Sequence, residues 1–139
     1  MTISNPKELL KNMQPELING KFYFASVDQS HLMAVANYFQ YIEGVFREKE
    51  GITIVFTEEL IDIVKPLSRF DLSGPFALIT LTVNSDLFAV GFLAKITEAL
   101  ATNGISVNAY SAYHHDHIFV PYDRKDDVIE ILNQLQTDR

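Results

Sequence analysis

The sequence contains no cysteine. Without a thiol the chain can form neither disulfides, nor thiolate metal sites, nor a cysteine nucleophile for covalent catalysis. Basic residues are also few, since 11 Lys and Arg stand against 18 Asp and Glu, for a formal net charge of −7. Nucleic-acid phosphates and anionic lipids require clustered cations, so no nucleic-acid or membrane partner is expected.

Long hydrophobic runs are absent as well. Polar residues interrupt every apolar stretch before it reaches membrane-spanning length, and residues 1–6 lack the basic and apolar regions of a secretory signal. We therefore expect a cytoplasmic protein. Hydrophobic residues make up 47% of the chain, with ten Phe and six Tyr, which is typical of a globular core rather than of disorder.

Hydrophobic periodicity predicts a mixed fold in which one order of elements occurs twice. Each half has the pattern strand, helix, strand, hairpin turn, strand, helix. The strand 54–56 and the helical stripe 60–64 of the first half parallel 118–120 and 128–132 of the second. We predict four segments, namely an N-terminal helical segment over 1–20, a first half over 21–67, a linker over 68–75 and a second half over 76–139.

The order β-α-β-β-α with short connections indicates an α+β fold with two ferredoxin-like halves, each an antiparallel sheet covered by helices on one face. Strands are predicted over 21–27 and 76–83, and a long helix over 86–103. Neither half shows the closing fourth strand of this fold. Because an exposed sheet edge invites pairing, we expect the halves to complete one another, or a homodimer, or both.

One histidine cluster invites a metal hypothesis, because His114, His115 and His117 surround Asp116. Successive strand positions point to opposite faces, however, so the four side chains cannot converge without a bulge. A structural or ligand-facing role is favoured, and no metal site is predicted. No nucleophile elbow, dinucleotide fingerprint or phosphate loop occurs, so neither catalytic residues nor a cofactor is predicted.

The second half resembles ACT domains, the ligand-binding modules of regulators of amino-acid metabolism. Four features carry the resemblance: the strand 77–83, the polar turn Asn84-Ser85-Asp86, the helix end Asn103-Gly104-Ile105-Ser106-Val107, and the run His114-His115-Asp116-His117-Ile118-Phe119-Val120-Pro121. The whole chain is similar to a small bacterial tandem-ACT family without a fused enzyme, which has this length and the same HHDHIFVP run.

The resemblance implies a ligand site between two ACT units, at the turn after the first strand and the start of its helix, here 84–91. A helix start offers free N–H donors to a carboxylate, and Gly91 permits close approach. Related arginine-sensing tandem ACT proteins use an aspartate at the position of Asp116 to contact the positive end of the ligand, although a turn residue bonded to its own backbone is the alternative. The predicted ligand-binding residues are Asn84, Ser85, Asp86, Leu87, Ala89, Val90, Gly91, Ser106, Asn108 and Asp116.

Three functions stay open at this point. The first is a regulatory module that binds a small molecule, an amino acid or related metabolite, and has no catalytic activity of its own. The second is a structural module for dimerisation or for docking on a partner enzyme. The third is a metal-dependent enzyme that uses the cluster of His114, His115 and His117. A homo-oligomer, specifically a dimer, is expected under the first two.

Overall fold

The computed structural model describes residues 5–83 and 88–137. The chain divides into two compact units, Gly20–Phe76 on the one hand and Met1–Asn19 with Ala77–Arg139 on the other. In the described part, no helix is both long and apolar enough to cross a membrane. The helices and strands are, in chain order, α1 (Pro6–Asn12), β1 (Pro15–Val27), α2 (Leu32–Ala36), β2 (Ile42–Arg47), β3 (Ile52–Thr57), α3 (Ile61–Val64), β4 (Ser73–Leu81), α4 (Phe92–Thr102), β5 (Asn108–Ser111), β6 (Asp116–Pro121) and α5 (Lys125–Thr137).

In the unit Gly20–Phe76 the strands are arranged in the order β2-β3-β1-β4. β3 pairs antiparallel with β2 and with β1, in a register that runs from Phe22 opposite Thr57 to Val27 opposite Ile52. Alternate strand residues point to one face, where they meet the short helices α2 and α3. The core of this unit consists of Ala25, Val27, Val35, Ile52, Ile54, Phe56, Leu60 and Val64.

The predicted hairpin of the first half is confirmed. β2 and β3 flank a turn in which the Glu48 N–H donates to the Gly51 carbonyl oxygen at 3.0 Å. Gly51 has a φ of 156°, and a Cβ atom there would approach the Ser26 hydroxyl to 2.8 Å. Glycine is therefore required at the end of this turn because a side chain has no room.

In the other unit the strands are arranged as β1-β4-β6-β5. The Thr82 N–H and hydroxyl both donate to the Gln14 carbonyl oxygen, at 3.3 and 2.6 Å, just outside the paired ends of β1 and β4. The helices α1, α4 and α5 cover one face. The core of this unit consists of Leu9, Met13, Ala77, Ile79, Leu81, Val83, Phe92, Ile96, Leu100, Ile105, Ile118, Val120, Val128 and Leu132.

The structure supplies the fourth strand that the sequence pattern does not reveal. In the unit Gly20–Phe76 it is the first part of β4, and in the other unit it is residues 15–19 of β1. Both strands begin earlier than predicted, β1 at Pro15 instead of residue 21 and β4 at Ser73 instead of residue 76. The predicted linker over 68–75 accordingly differs from the structure, in which Ser73, Gly74 and Pro75 belong to β4.

The amino-terminal segment is part of a core rather than a separate piece. The predicted helix start is confirmed, since the Asn5 side chain accepts the N–H of Lys7 at 2.9 Å. Leu9 and Met13 of this region are fully buried in the unit that also contains α4 and α5. The segment predicted over 1–20 is divided differently, because residues 1–19 group with Ala77–Arg139 and residues from Pro15 onward form β1.

Two further boundaries differ for reasons of backbone geometry. Gly20 is predicted to end the amino-terminal segment, but it lies inside β1 with a φ of 107° that only glycine adopts readily. Of the helix predicted over 86–103, residues 86 and 87 lie outside the described residues, and in the described part the helix begins at Phe92, after Gly91 with a φ of 96°, outside the helical region. Gly20 therefore lies within a continuous β1, and Gly91 lies just before the first residue of α4.

We predict that Leu9→Ala lowers the free energy of unfolding by about 2–5 kcal/mol, because it empties a fully buried position in the core. Urea denaturation of the full chain measures the change. Lys11→Ala is the control, since Lys11 is an exposed residue of the same helix. Equal unfolding midpoints for the two variants would contradict the placement of α1 in the core.

Candidate functional site

The predicted site residues are best located from the end of β4, where β6 begins beside it. His115 Nδ1 lies 3.1 Å from the Val83 carbonyl oxygen, and His117 Nδ1 lies 2.9 Å from Thr80 Oγ1. These two contacts tie the start of β6 to the end of β4. Asp116, between the two histidines, therefore lies next to the point where the predicted ligand-binding turn begins.

Asp116 points to the helical side of the sheet. Strand residues two apart share a face, and Ile118 and Val120 of the same strand are fully buried in the core beneath the helices. Only 7% of Asp116 is exposed, and together with Thr80 it is a buried polar residue of the described chain. A carboxyl group in such a position is costly unless it meets polar or charged partners.

His117 lies on the opposite face of β6, away from Asp116. Burial lowers the pKa of His117 below its ordinary value of 6.5, nearby His115 lowers it further, and Asp116 opposes the shift. The neutral imidazole is therefore favoured at neutral pH. Neutral His117 shares one hydrogen bond with Thr80, whose direction depends on the tautomer of the ring.

The start of α4 is the second part of the site. Ala89 is half-buried against the core, and Val90 is 80% exposed. Gly91 occupies the cap position with a φ of 96° and has no side chain that could accept the first N–H groups of the helix. A Cβ atom on Gly91 would lie 3.4 Å from Cγ of Pro6, so the first residue of α1 borders this helix start.

The remaining predicted residues fall into two groups. Asn84, Ser85, Asp86 and Leu87 lie outside the described residues. Ser106 and Asn108 are exposed, and Asn108 pairs with Phe119, three positions along β6 from the pair of Ser111 and Asp116. That separation corresponds to about 10 Å along the strand, on the opposite face. The structure thus does not bring Asn108 to Asp116, and Ser106 lies outside the paired strands.

In the unit Gly20–Phe76 the turn after β1 contains Asp28, whose own carboxylate accepts the hydrogen bonds available there. Asp28 Oδ2 accepts the Ser30 hydroxyl at 2.7 Å and the Ser30 N–H at 3.0 Å. These hydrogen bonds lower the pKa of Asp28 below its ordinary range, and the bond from the Ser30 hydroxyl has the larger effect. An external carboxylate would compete with this internal one, so the two halves differ at the same turn.

The three histidines His114, His115 and His117 contact other protein groups. The rings of His114 and His115 are 6.3 Å apart and those of His115 and His117 are 6.5 Å apart. Within residues 5–83 and 88–137, no group of three or more histidine and acidic side chains is arranged to hold a metal ion. His115 and His117 instead face different protein partners, the Val83 carbonyl oxygen and the Thr80 hydroxyl.

Both halves of the chain are similar to known protein domains. Residues 2–62 and 75–134 each match a family model of the ACT domain. The chain belongs to the ACT-domain family. The tandem ACT arrangement and the ferredoxin-like α+β fold predicted from the sequence are therefore confirmed. A search of curated proteins found no match to this ACT protein.

Solved structures share the fold over nearly the whole length. A protein of unknown function from Vibrio cholerae, described as a possible transport protein, is 35% identical, with 94% of this chain and 95% of that chain covered and a TM-score of 0.77. A putative C-terminal regulatory domain of aspartate kinase from Porphyromonas gingivalis is 14% identical (92% and 99% covered, TM-score 0.66). The regulatory subunit of aspartate kinase from Thermus thermophilus is 11% identical (91% and 97% covered, TM-score 0.67).

Two residues near the site escape sequence reasoning. The pattern predicts Thr80 only as part of a β-biased run, although its position opposite a histidine makes it a buried hydrogen-bonding group. Pro6 is recognisable as a helix start, but nothing in the sequence indicates that it borders Gly91, 85 positions away in this ACT protein. Only strand pairing and helix packing bring these residues to the site.

We predict that this ACT protein loses stability as the pH falls below about 6.5, and that His117→Gln reduces the loss. The folded-state pKa of His117 is lowered, so the unfolded state binds more protons as the pH falls through the ordinary value. Urea unfolding at about pH 7 and about pH 5, the range in which histidine titrates, measures the effect. Exposed His114→Gln is the control, and identical pH dependence in the two variants would contradict the assignment.

Proposed function

We propose that this protein is a regulatory module whose ligand is an amino acid or a related amine-bearing metabolite. The observation that supports the proposal is the nearly complete burial of Asp116 at the start of β6, beside Val83, where the chain leaves β4 for the turn that leads to α4. An acidic group beside that turn matches the position from which the amine of such a ligand would be held.

The ligand would have two oppositely charged ends. Its carboxylate would lie at the start of α4, where free N–H groups and the helix dipole favour an anion and Gly91 adds no side chain. Its ammonium or guanidinium group would donate a charge-assisted hydrogen bond to the carboxylate of Asp116. Asn84, Ser85, Asp86, Leu87, Ala89 and Val90 stay proposed as neighbours of the ligand.

Family membership supports a regulatory role. Both halves match the ACT domain, and two of the structural neighbours are described as regulatory parts of aspartate kinases. We propose no catalytic activity and no cofactor for the chain itself. Its effect would be exerted through a second protein, such as a partner enzyme, or through a second copy of the chain.

A homodimer fits the sheet edges. β2 and β5 are edge strands of their units, and β2 presents Val45 and Phe46, which are 48% and 65% exposed. Exposed apolar edge strands favour pairing with another chain. The same observation favours the second candidate function, a structural module for dimerisation or docking that binds no metabolite.

Titration calorimetry of the full chain with each standard amino acid tests the first candidate. We predict saturable binding of at least one, and that Asp116→Asn weakens that binding about tenfold or more, as the loss of a charge-assisted hydrogen bond does. Because Asp116 already interacts with other protein groups, the isosteric Asn variant is preferred and its fold is checked by circular dichroism.

Asp62→Asn is the matched control, since Asp62 is an exposed aspartate of α3 and the substitution removes the same charge. This variant is expected to bind like the unaltered chain. Absence of binding for every amino acid, or equal weakening by the two substitutions, would refute the proposed site. A dimer that forms without any binding would then favour the structural module.

A further inference from the structure

A second concave site lies in the unit Gly20–Phe76, and none of its lining residues belongs to the site proposed above. The cavity has a volume of about 590 Å³, within the usual range of small-molecule pockets. Its walls are Tyr23 of β1, Ile61 of α3, Lys65 just after α3, and the segment 68–72, which leads toward β4. The sequence pattern predicts only a linker for this segment, without any role in binding.

The segment 68–72 is held in place by hydrogen bonds to its own unit. The Arg69 N–H donates to the Ser26 carbonyl oxygen at 2.8 Å, and Arg69 Nη1 donates to the Glu50 carbonyl oxygen at 2.7 Å. Ser68 forms a bridge to Val27 at the end of β1, and its hydroxyl donates to the Phe70 carbonyl oxygen at 2.7 Å. The wall is therefore formed before any ligand arrives, which lowers the entropic cost of binding.

The charges around the cavity favour an anion. Lys65 and Arg69 line it together with a single carboxylate, that of Asp71, so the lining is net positive although the whole chain is acidic. In the described part of the chain, Lys65 and Asp71 form no salt bridge or side-chain hydrogen bond. Lys65 thus retains its donors for a ligand, and Asp71 disfavours a second negative charge.

The remaining lining is apolar. Tyr23, Ile61, Phe70 and Leu72 contribute ring and aliphatic surface to the same cavity. Phe70 is 67% exposed, so most of its ring is accessible to a ligand in the cavity. A ligand with a hydrocarbon body would bury this surface while its charged end remains near the cations.

We propose that this pocket binds a small monocarboxylate with an apolar body. The carboxylate pairs with Lys65 and with the guanidinium of Arg69, and the body packs on Phe70 and Tyr23. Charge-assisted hydrogen bonds orient the ligand, and burial of its apolar part supplies the affinity. The site is independent of Asp116 and of the start of α4.

Hydrocinnamate is the probe, and binding to the full chain is followed by two-dimensional NMR and by calorimetry. We expect saturable binding with shifts centred on Tyr23, Phe70 and Leu72. Lys65→Gln is expected to raise the Kd about three- to fivefold, the effect of one exposed ion pair. Lys49→Gln is the matched control, because Lys49 is an exposed lysine in the β2–β3 turn of the same unit, and it is expected to change nothing.

Further probes and variants distinguish binding in this pocket from binding elsewhere on the chain. Phenethylamine, with the same ring but a positive charge, and phenylsuccinate, with two negative charges, are expected to bind more weakly than hydrocinnamate. Asp116→Asn is expected to leave hydrocinnamate binding unchanged, so the result does not depend on the function proposed above. Phe70→Ala is expected to weaken binding without altering the fold, since Phe70 is exposed.

The proposal is overturned by any of four results. The first is the absence of saturable hydrocinnamate binding. The second is equal affinity for hydrocinnamate and phenethylamine, which would remove the role of the cations. The third is an equal effect of Lys65→Gln and Lys49→Gln on the affinity. The fourth is a set of NMR shifts confined to the start of α4, which would place the ligand elsewhere.

Discussion

The pairing of β1 with β4 is the interaction on which both units depend. β1 and β4 are neighbours in the strand order of each unit, and each strand provides the fourth position of a ferredoxin-like sheet. In the unit Gly20–Phe76 the two strands approach so closely that a Cβ atom at Gly74 would lie 2.8 Å from the Phe22 carbonyl oxygen. A sheet without this pair would leave an unpaired edge, which β-proteins avoid.

The same pairing determines where the side chains of Asp116 and His117 lie. It fixes the position of β4, and β4 in turn holds the start of β6 through the contact of His115 with Val83 and that of His117 with Thr80. The face alternation of β6 then places the carboxyl group of Asp116 on the helical side and the imidazole of His117 on the other. Adjacent residues of one sequence motif therefore lie on different faces, so the ligand contact proposed for Asp116 is separate from the contact of His117 with Thr80.

The two halves share a fold but differ in which backbone N–H groups at the turn after the first strand already have a side-chain acceptor. In one unit Asp28 occupies the donors of Ser30 with its own carboxylate, whereas Gly91 in the other adds no acceptor to the start of α4. The pocket bordered by Lys65 and Phe70 belongs to the unit Gly20–Phe76, and its lining does not include the turn of Asp28. Duplication of a fold thus leaves room for different sites, because loops change more freely than strands.

Local chemistry in the sequence determined the class of elements, the β2–β3 hairpin with Gly51 and the cap at Asn5, because each depends on residues close together in the chain. The tandem ACT arrangement came from the resemblance of its motifs to a known family. Only the tertiary structure decided that α1 joins a core, that β1 and β4 supply the fourth strand of each unit, and that Thr80 contacts His117. These features depend on pairing and packing between distant residues, which no local periodicity encodes.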